Sequence, residues 1–208
     1  MNKQKVFKYK FSENNISPNF YVNITNQDAY NGMINSTDQT FLYGPNKSGK
    51  TEMSKIWLKL NNAIIFKNNF KKILNANQNI LIDDIDKNFN YENIFHLINH
   101  ASFNKLKILI TSNKPLYNLN IELKDLMSRL KAFNYLEIHN PDDDMLLNIL
   151  SKLFIDKQFI LHSNSIFNYI IKRANRSYAE MIKIVDKLDS LSLEKKRQLT
   201  IPLIKEIL

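Results

Sequence analysis

The sequence predicts an α/β protein: a parallel sheet covered by helices, followed by a small C-terminal helical lobe. Three observations predict it. The chain of 208 residues has three glycines, where average usage gives about 15, yet Gly44 and Gly49 fall close together in Gly44-Pro45-Asn46-Lys47-Ser48-Gly49-Lys50-Thr51. Short apolar runs alternate with helical patterns as far as Asn140. Beyond Asn140-Pro141 the strand signal disappears and helical patterns continue alone.

The elements follow in order. Thr40-Phe41-Leu42-Tyr43 reads as a buried strand entering the glycine pair. Met53, Ile56, Trp57 and Leu60 recur at i, i+3, i+4 and i+7, one face of a helix leaving it. Ala63-Ile64-Ile65-Phe66, Ile80-Leu81-Ile82, Lys107 to Asn113 and Tyr135-Leu136-Glu137-Ile138 supply further strands. Ile94, Phe95, Ile98 and Ala101 form one intervening helical face, and Leu123, Leu126 and Leu130 form another. Such alternation implies parallel strands with right-handed crossovers. Pro141-Asp142-Asp143-Asp144 has helix-start chemistry. Three helical faces follow it: Leu146/Ile149/Leu150/Leu153, Ile166/Phe167/Ile170/Ile171 and Met181/Val185/Leu188. A last short helix opens at Thr200-Ile201-Pro202, with proline in the first turn.

The Gly44 to Thr51 stretch is a complete G-x-x-x-x-G-K-[ST] phosphate loop. Glycines let backbone N–H groups turn toward phosphate oxygens. Lys50 supplies a point charge to the β- and γ-phosphates, and Thr51 offers a hydroxyl to Mg²⁺ at the positive end of a helix. Pro45, Asn46, Lys47 and Ser48 complete the cradle. About thirty residues on, Ile80-Leu81-Ile82-Asp83-Asp84 is an apolar run ending in two carboxylates. Asp83 is the expected Mg²⁺-shell ligand. Asp84 occupies the place where many ATPases put a water-polarising glutamate, one methylene longer. The strand ending Thr111-Ser112-Asn113 points polar groups toward the ligand end of the sheet. Asn113 or Ser112 is the expected γ-phosphate or water contact.

His96 and His100 share one helix at i, i+4, but Leu97 replaces the glutamate of a zinc-protease motif. They read as a solvated helix surface. No cysteine is present, which excludes disulfides, thiolate zinc sites and cysteine catalysis. No apolar run reaches the ~18 residues of a spanning helix, and the N-terminus is charged rather than signal-like, so a cytoplasmic protein with no membrane partner is expected. The net charge is +9. Lysine, asparagine and isoleucine are all abundant, and the lysines are dispersed. A general compositional drift therefore explains the charge better than a dedicated nucleic-acid face.

In this order, phosphate loop, Asp-Asp strand end, Thr-Ser-Asn strand end and helical lid resemble the AAA+ ATPases of the DnaA type. The likeness is greatest to their Hda-like branch, which acts in regulatory inactivation of DnaA, in its alphaproteobacterial form. It runs through Phe20-Tyr21-Val22, Tyr43 to Thr51, Ile82-Asp83-Asp84-Ile85-Asp86, Leu126-Met127-Ser128-Arg129-Leu130 and Leu199 to Leu208. The resemblance implies an N-terminal tail over 1–18, an AAA+ nucleotide-binding domain over 19–140 and a lid over 141–208. On that division no separate helix-turn-helix domain is expected after the lid.

The family's properties carry over residue by residue. Arg129 resembles the arginine finger that reaches a neighbouring subunit's nucleotide. Such a trans arginine is worth about 10³–10⁵ in rate. Arg176 is the candidate lid arginine that senses phosphate, although another alignment places Ala179 there. Gln4, Phe7 and Tyr9 stand where the family carries a clamp-binding peptide. The implied cofactors are ADP or ATP with Mg²⁺, with ADP in the active form. The implied partners are DnaA, the sliding clamp (beta subunit) of DNA polymerase III, and a homo-oligomer, with DNA met indirectly through the clamp. The implied function is negative regulation of replication initiation by promoting hydrolysis of DnaA-bound ATP, with weak hydrolysis by the chain itself. A helicase-loading or DNA-binding AAA+ ATPase resembling DnaC is the alternative.

Overall fold

The computed structural model describes residues 20–36, 38–67, 69–87, 89–159, 165–195 and 197–208. Five parallel strands, β1 (Gln39–Tyr43), β2 (Ile64–Ile65), β3 (Ile80–Ile82), β4 (Ile108–Ser112) and β5 (Asn134–Glu137), lie in the order β2-β3-β4-β1-β5. Their register is continuous across the middle: Phe41 pairs with Ile110 on one side and Tyr135 on the other, and Ile82 pairs with Ile110.

Strand periodicity sorts the side chains into two cores. Phe41, Ile80, Ile82, Ile108 and Ile110 face one way, and Leu42, Leu81 and Leu109 face the other. Both faces are fully buried at the central strands, as parallel sheets require. Helices α4 (Tyr91–Phe103) and α5 (Lys124–Leu130) close the first face with Ile94, Leu97, Ile98, Leu126 and Leu130. Between β2 and β3, α3 (Phe70–Ala76) adds Ile73 to the same core. Helices α1 (Gln27–Asn35) and α2 (Lys50–Leu60) close the second face with Ala29, Met33, Met53, Ile56 and Trp57. Leu60, expected on the buried stripe of α2, is 49% exposed, because the helix ends there and the chain turns at Asn61.

Helix starts are built from local chemistry. Asn90 accepts the Glu92 and Asn93 amides at the start of α4. Asp142 accepts the Met145 amide at the start of α6 (Asp143–Asp156). Each such cap is worth about 1 kcal/mol. The lid continues as α7 (Ser165–Ile171), α8 (Tyr178–Lys195) and α9 (Ile201–Lys205). It has its own core of Leu146, Leu150, Phe154, Ile170, Met181, Val185 and Ile204. Truncating a side chain as fully buried as Leu150 to alanine costs about 2–5 kcal/mol. Among the described residues, no helix is long and apolar enough to cross a membrane.

Candidate functional site

The phosphate loop joins β1 to α2 at the carboxyl end of the sheet. Two residues in it take positive φ, Lys47 at 66° and Gly49 at 91°. Gly49 is the N-cap of α2 and has no side chain to spend on the first-turn amides, so those N–H groups stay available to an anion. A Cβ at Gly44 would lie 2.7 Å from the Ile138 carbonyl oxygen, so only glycine lets the loop pack on the chain after β5. At Gly49 a Cβ would lie 2.9 Å from Cε2 of Phe20, whose ring covers the loop.

Lys50 is buried, and its Nζ donates to the carbonyls of Gly44 at 2.9 Å and Pro45 at 2.8 Å. Burial pushes its pKa down, while Asp84, Asp86 and Asp83 oppose that shift. A desolvated ammonium held only by carbonyls suits a phosphate oxygen better than it suits its present partners. The Ser48 hydroxyl is buried inside the same loop without a hydrogen-bond partner among the described residues.

Beside the loop, the carboxylates are organised by the end of β4. Thr51 Oγ1 donates to Asp83 Oδ2 at 3.4 Å, and Thr111 Oγ1 donates to Asp83 Oδ1 at 2.9 Å. The Asp84 amide donates back to Thr111 Oγ1 at 2.7 Å. Asp84 sits at φ 67° with its carboxylate held by Asn113 Nδ2 at 3.0 Å and Lys87 Nζ at 3.4 Å. Asp86 accepts from the Asn113 amide at 2.6 Å and from Ser112 Oγ at 3.1 Å. A threonine hydroxyl beside one carboxylate is a donor set that fits Mg²⁺, which usually keeps several waters and takes its other ligands from phosphates. When bound, the ion would neutralise phosphate charge; Thr51 and Asp83 are the residues that would hold it. Among the described residues no group of three or more His, Cys, Asp or Glu is arranged to hold a metal by itself.

The structure thus brings Gly44 to Thr51, Asp83, Asp84 and Asn113 together. Ser112 turns away, toward Asp86 and the Lys114 carbonyl. Arg129 lies near the end of α5, exposed, with no ion pair among the described residues. Arg176 pairs with Asp143 at 2.6 Å on the lid. Gln4, Phe7 and Tyr9 lie outside the described residues. His96 is exposed and packs on Phe70 and Phe95. His100 departs from a wholly solvated reading: it is half-buried, with Nδ1 3.1 Å from the Asn104 amide. Four residues with no assigned role join the site: Thr111, Asp86, Lys87 and Phe20. Asp86 shows a signal, as the third carboxylate of Asp83-Asp84-Ile85-Asp86; Thr111 and Phe20 act through contacts no local pattern reveals.

The fold and the loop define a phosphate-loop α/β domain followed by a helical lid. Domain III of the Thermotoga maritima replication initiator DnaA superposes with a TM-score of 0.74 at 17% identity, covering 91% of this chain and 93% of that one. DnaA solved with AMPPCP and single-stranded DNA superposes with a TM-score of 0.67 at 16% identity, covering 86% of this chain and 67% of that one.

The lid is more particular. Residues 143–208 match the family model described as Hda, lid domain. An uncharacterized protein of Haemophilus influenzae is 28% identical over 196 residues, 84% of each chain. The lid match concerns residues 143–208, and the DnaA neighbours share the fold of the chain as a whole.

Proposed function

We propose that this chain is a nucleotide-dependent regulator of replication initiation. It binds ADP or ATP with Mg²⁺ in the Gly44 to Thr51 cradle, docks on DNA-loaded sliding clamp, and lends Arg129 to ATP-bound DnaA. The observation that carries the reading is the Hda lid match joined to an exposed arginine at the end of α5 that spends its charge on no carboxylate among the described residues. An arginine held by its own acid has less charge to offer a partner's phosphoryl group, and among the described residues no acid holds Arg129.

The chain's own residues have separable tasks. Lys50 and the first-turn amides of α2 hold phosphates. Thr51 and Asp83 hold the ion. Asp84 is the carboxylate nearest the role of water polariser, and it is one methylene short and already engaged by Asn113 and Lys87, which favours slow hydrolysis here and turnover on the partner instead. Gln4, Phe7 and Tyr9 are the proposed clamp contacts.

The test is DnaA-bound ATP turnover in the presence of clamp on DNA, comparing wild type with Arg129→Ala and with a chain lacking residues 1–10. Loss of about 10³-fold or more of the stimulation in Arg129→Ala is expected. Equal stimulation by both proteins removes Arg129 from this role. Capture of replicative helicase without any clamp requirement would favour the DnaC-like alternative.

A further inference from the structure

Three consecutive aspartates open the lid, and each grips a different part of the molecule. Asp142 caps α6 and also accepts from Asn23 Nδ2 at 2.9 Å. Asp143 pairs with Arg176. Asp144 accepts the Tyr21 hydroxyl at 2.6 Å, across 123 residues of sequence. The partners Tyr21 and Asn23 belong to the segment that begins with Phe20. The Phe20 ring fills the space beside Gly49 and stacks on Tyr30 at 5.8 Å. A continuous path therefore runs from the phosphate loop through Phe20 and Tyr21 to the first turn of the lid.

We propose that Tyr21 is a positioning residue that couples occupancy of the phosphate loop to docking of the lid, through its hydrogen bond to Asp144. This rests on the nucleotide-binding reading of the loop and names the contact by which the lid senses it. The physical argument is linkage. A rearrangement of the loop beside Gly49 meets Phe20, because the ring leaves no room there even for a Cβ, which would lie 2.9 Å from Cε2. Tyr21 is the next residue, and its hydroxyl is fixed on the lid. Two events that share one contact assist each other, and the assistance is reciprocal: a docked lid tightens nucleotide, and nucleotide holds the lid down. Asn23 and Asp142 brace the same segment, so losing the Tyr21 hydroxyl weakens the coupling without detaching the lid.

The experiment uses the full chain with ADP as the probe. Limited trypsin digestion across residues 143–208 reports lid docking, and a fluorescent ADP analogue reports affinity. In wild type, saturating ADP slows cleavage of the lid. Tyr21→Phe keeps the ring and removes the donor. We expect it to bind ADP three- to tenfold more weakly and, at saturating ADP, to lose most of the protection, in line with one hydrogen bond to a charged, partly exposed acceptor. Asp144→Ala should match it, the double variant should be no worse than either single one, and Asp144→Asn, which keeps an oxygen acceptor, should retain most of the protection. Full protection in Tyr21→Phe, or additive losses in the double variant, would overturn the coupling while leaving nucleotide binding intact. Failure of the wild type itself to bind ADP would overturn the nucleotide reading and the coupling with it.

Discussion

Asn113 donates its side-chain amide to the carboxylate of Asp84 at 3.0 Å, and Lys87 approaches the same carboxylate from the other end of its turn at 3.4 Å. A carboxylate that already holds two donors is a poorer acceptor for a water proton. The Lys87 side chain is 63% exposed, so this pair is worth at most about 1 kcal/mol. Lys87→Ala should therefore raise single-turnover ATP hydrolysis about two- to fivefold and leave ADP affinity unchanged, while Lys87→Arg should keep the wild-type rate. An unchanged rate in Lys87→Ala would show that the ion pair does not restrain Asp84.

Lys50 gives opposite effects on stability and on binding. Its ammonium is desolvated and rests on two carbonyls, and burying a cation in that way costs folding free energy. Lys50→Met conserves the stem and removes the charge. Its Tm should equal or exceed that of wild type, whereas ADP affinity should fall at least about tenfold, the worth of one charge-assisted hydrogen bond. Parallel melting curves and nucleotide titrations separate the two. A drop in both would mean that the carbonyl contacts of Lys50 stabilise the loop itself.

The site is legible in the sequence where chemistry forces residue type at fixed spacing. A chain that uses glycine three times keeps two in the loop, Gly44 because its backbone packs against that of Ile138 and Gly49 because it takes φ 91° beside the Phe20 ring. The central strands are legible because burial on both faces demands unbroken apolar runs such as Ile108 to Ile110. Edge elements are not. Ala63-Ile64-Ile65-Phe66 reads as four strand residues, yet pairing on a single neighbour supports only Ile64–Ile65. Helix α1 (Gln27–Asn35) buries a narrow stripe of Ala29, Tyr30 and Met33 within an otherwise polar segment, too short a pattern to stand out in the sequence. Helix α3 is likewise asparagine- and lysine-rich, with Ile73 alone fully buried. The Phe20–Gly49 and Tyr21–Asp144 contacts span tens of residues or more, and only the folded chain reveals them.

The three glycines should rank by what a Cβ would meet. At Gly44 it meets the backbone of Ile138 at 2.7 Å, which cannot move without shifting the chain after β5. At Gly49 it meets a ring edge at 2.9 Å and must also accept φ 91°, a strain of about 1–3 kcal/mol. At Gly32 the nearest atom is the tip of Leu136, a side chain that can change rotamer. Gly44→Ala and Gly49→Ala should each lower stability by about 1–3 kcal/mol in urea titrations, and Gly32→Ala, in the middle of α1, should lie near neutral because helix propensity offsets repacking. A Gly32→Ala cost equal to that of Gly44→Ala would contradict the ranking.

Alkaline titration tests the two tyrosine–carboxylate pairs. Burial, then hydrogen bonding to Asp144, pushes the Tyr21 phenol up to about 12. Burial, then hydrogen bonding to Glu137, does the same to Tyr43, also to about 12. The folded state thus favours the neutral phenol. The sign follows: this contribution to stability is complete below the ordinary phenol pKa near 10, and it is lost progressively as pH rises through about 12. Phenolate absorbance should show both groups ionising late. Asp144→Asn should return Tyr21 toward 10 and leave Tyr43 in place, and Glu137→Gln should do the converse. If Asp144→Asn leaves the Tyr21 phenol in place, burial rather than the Asp144 carboxylate holds it up, and the path from the phosphate loop to the lid loses the support of this contact.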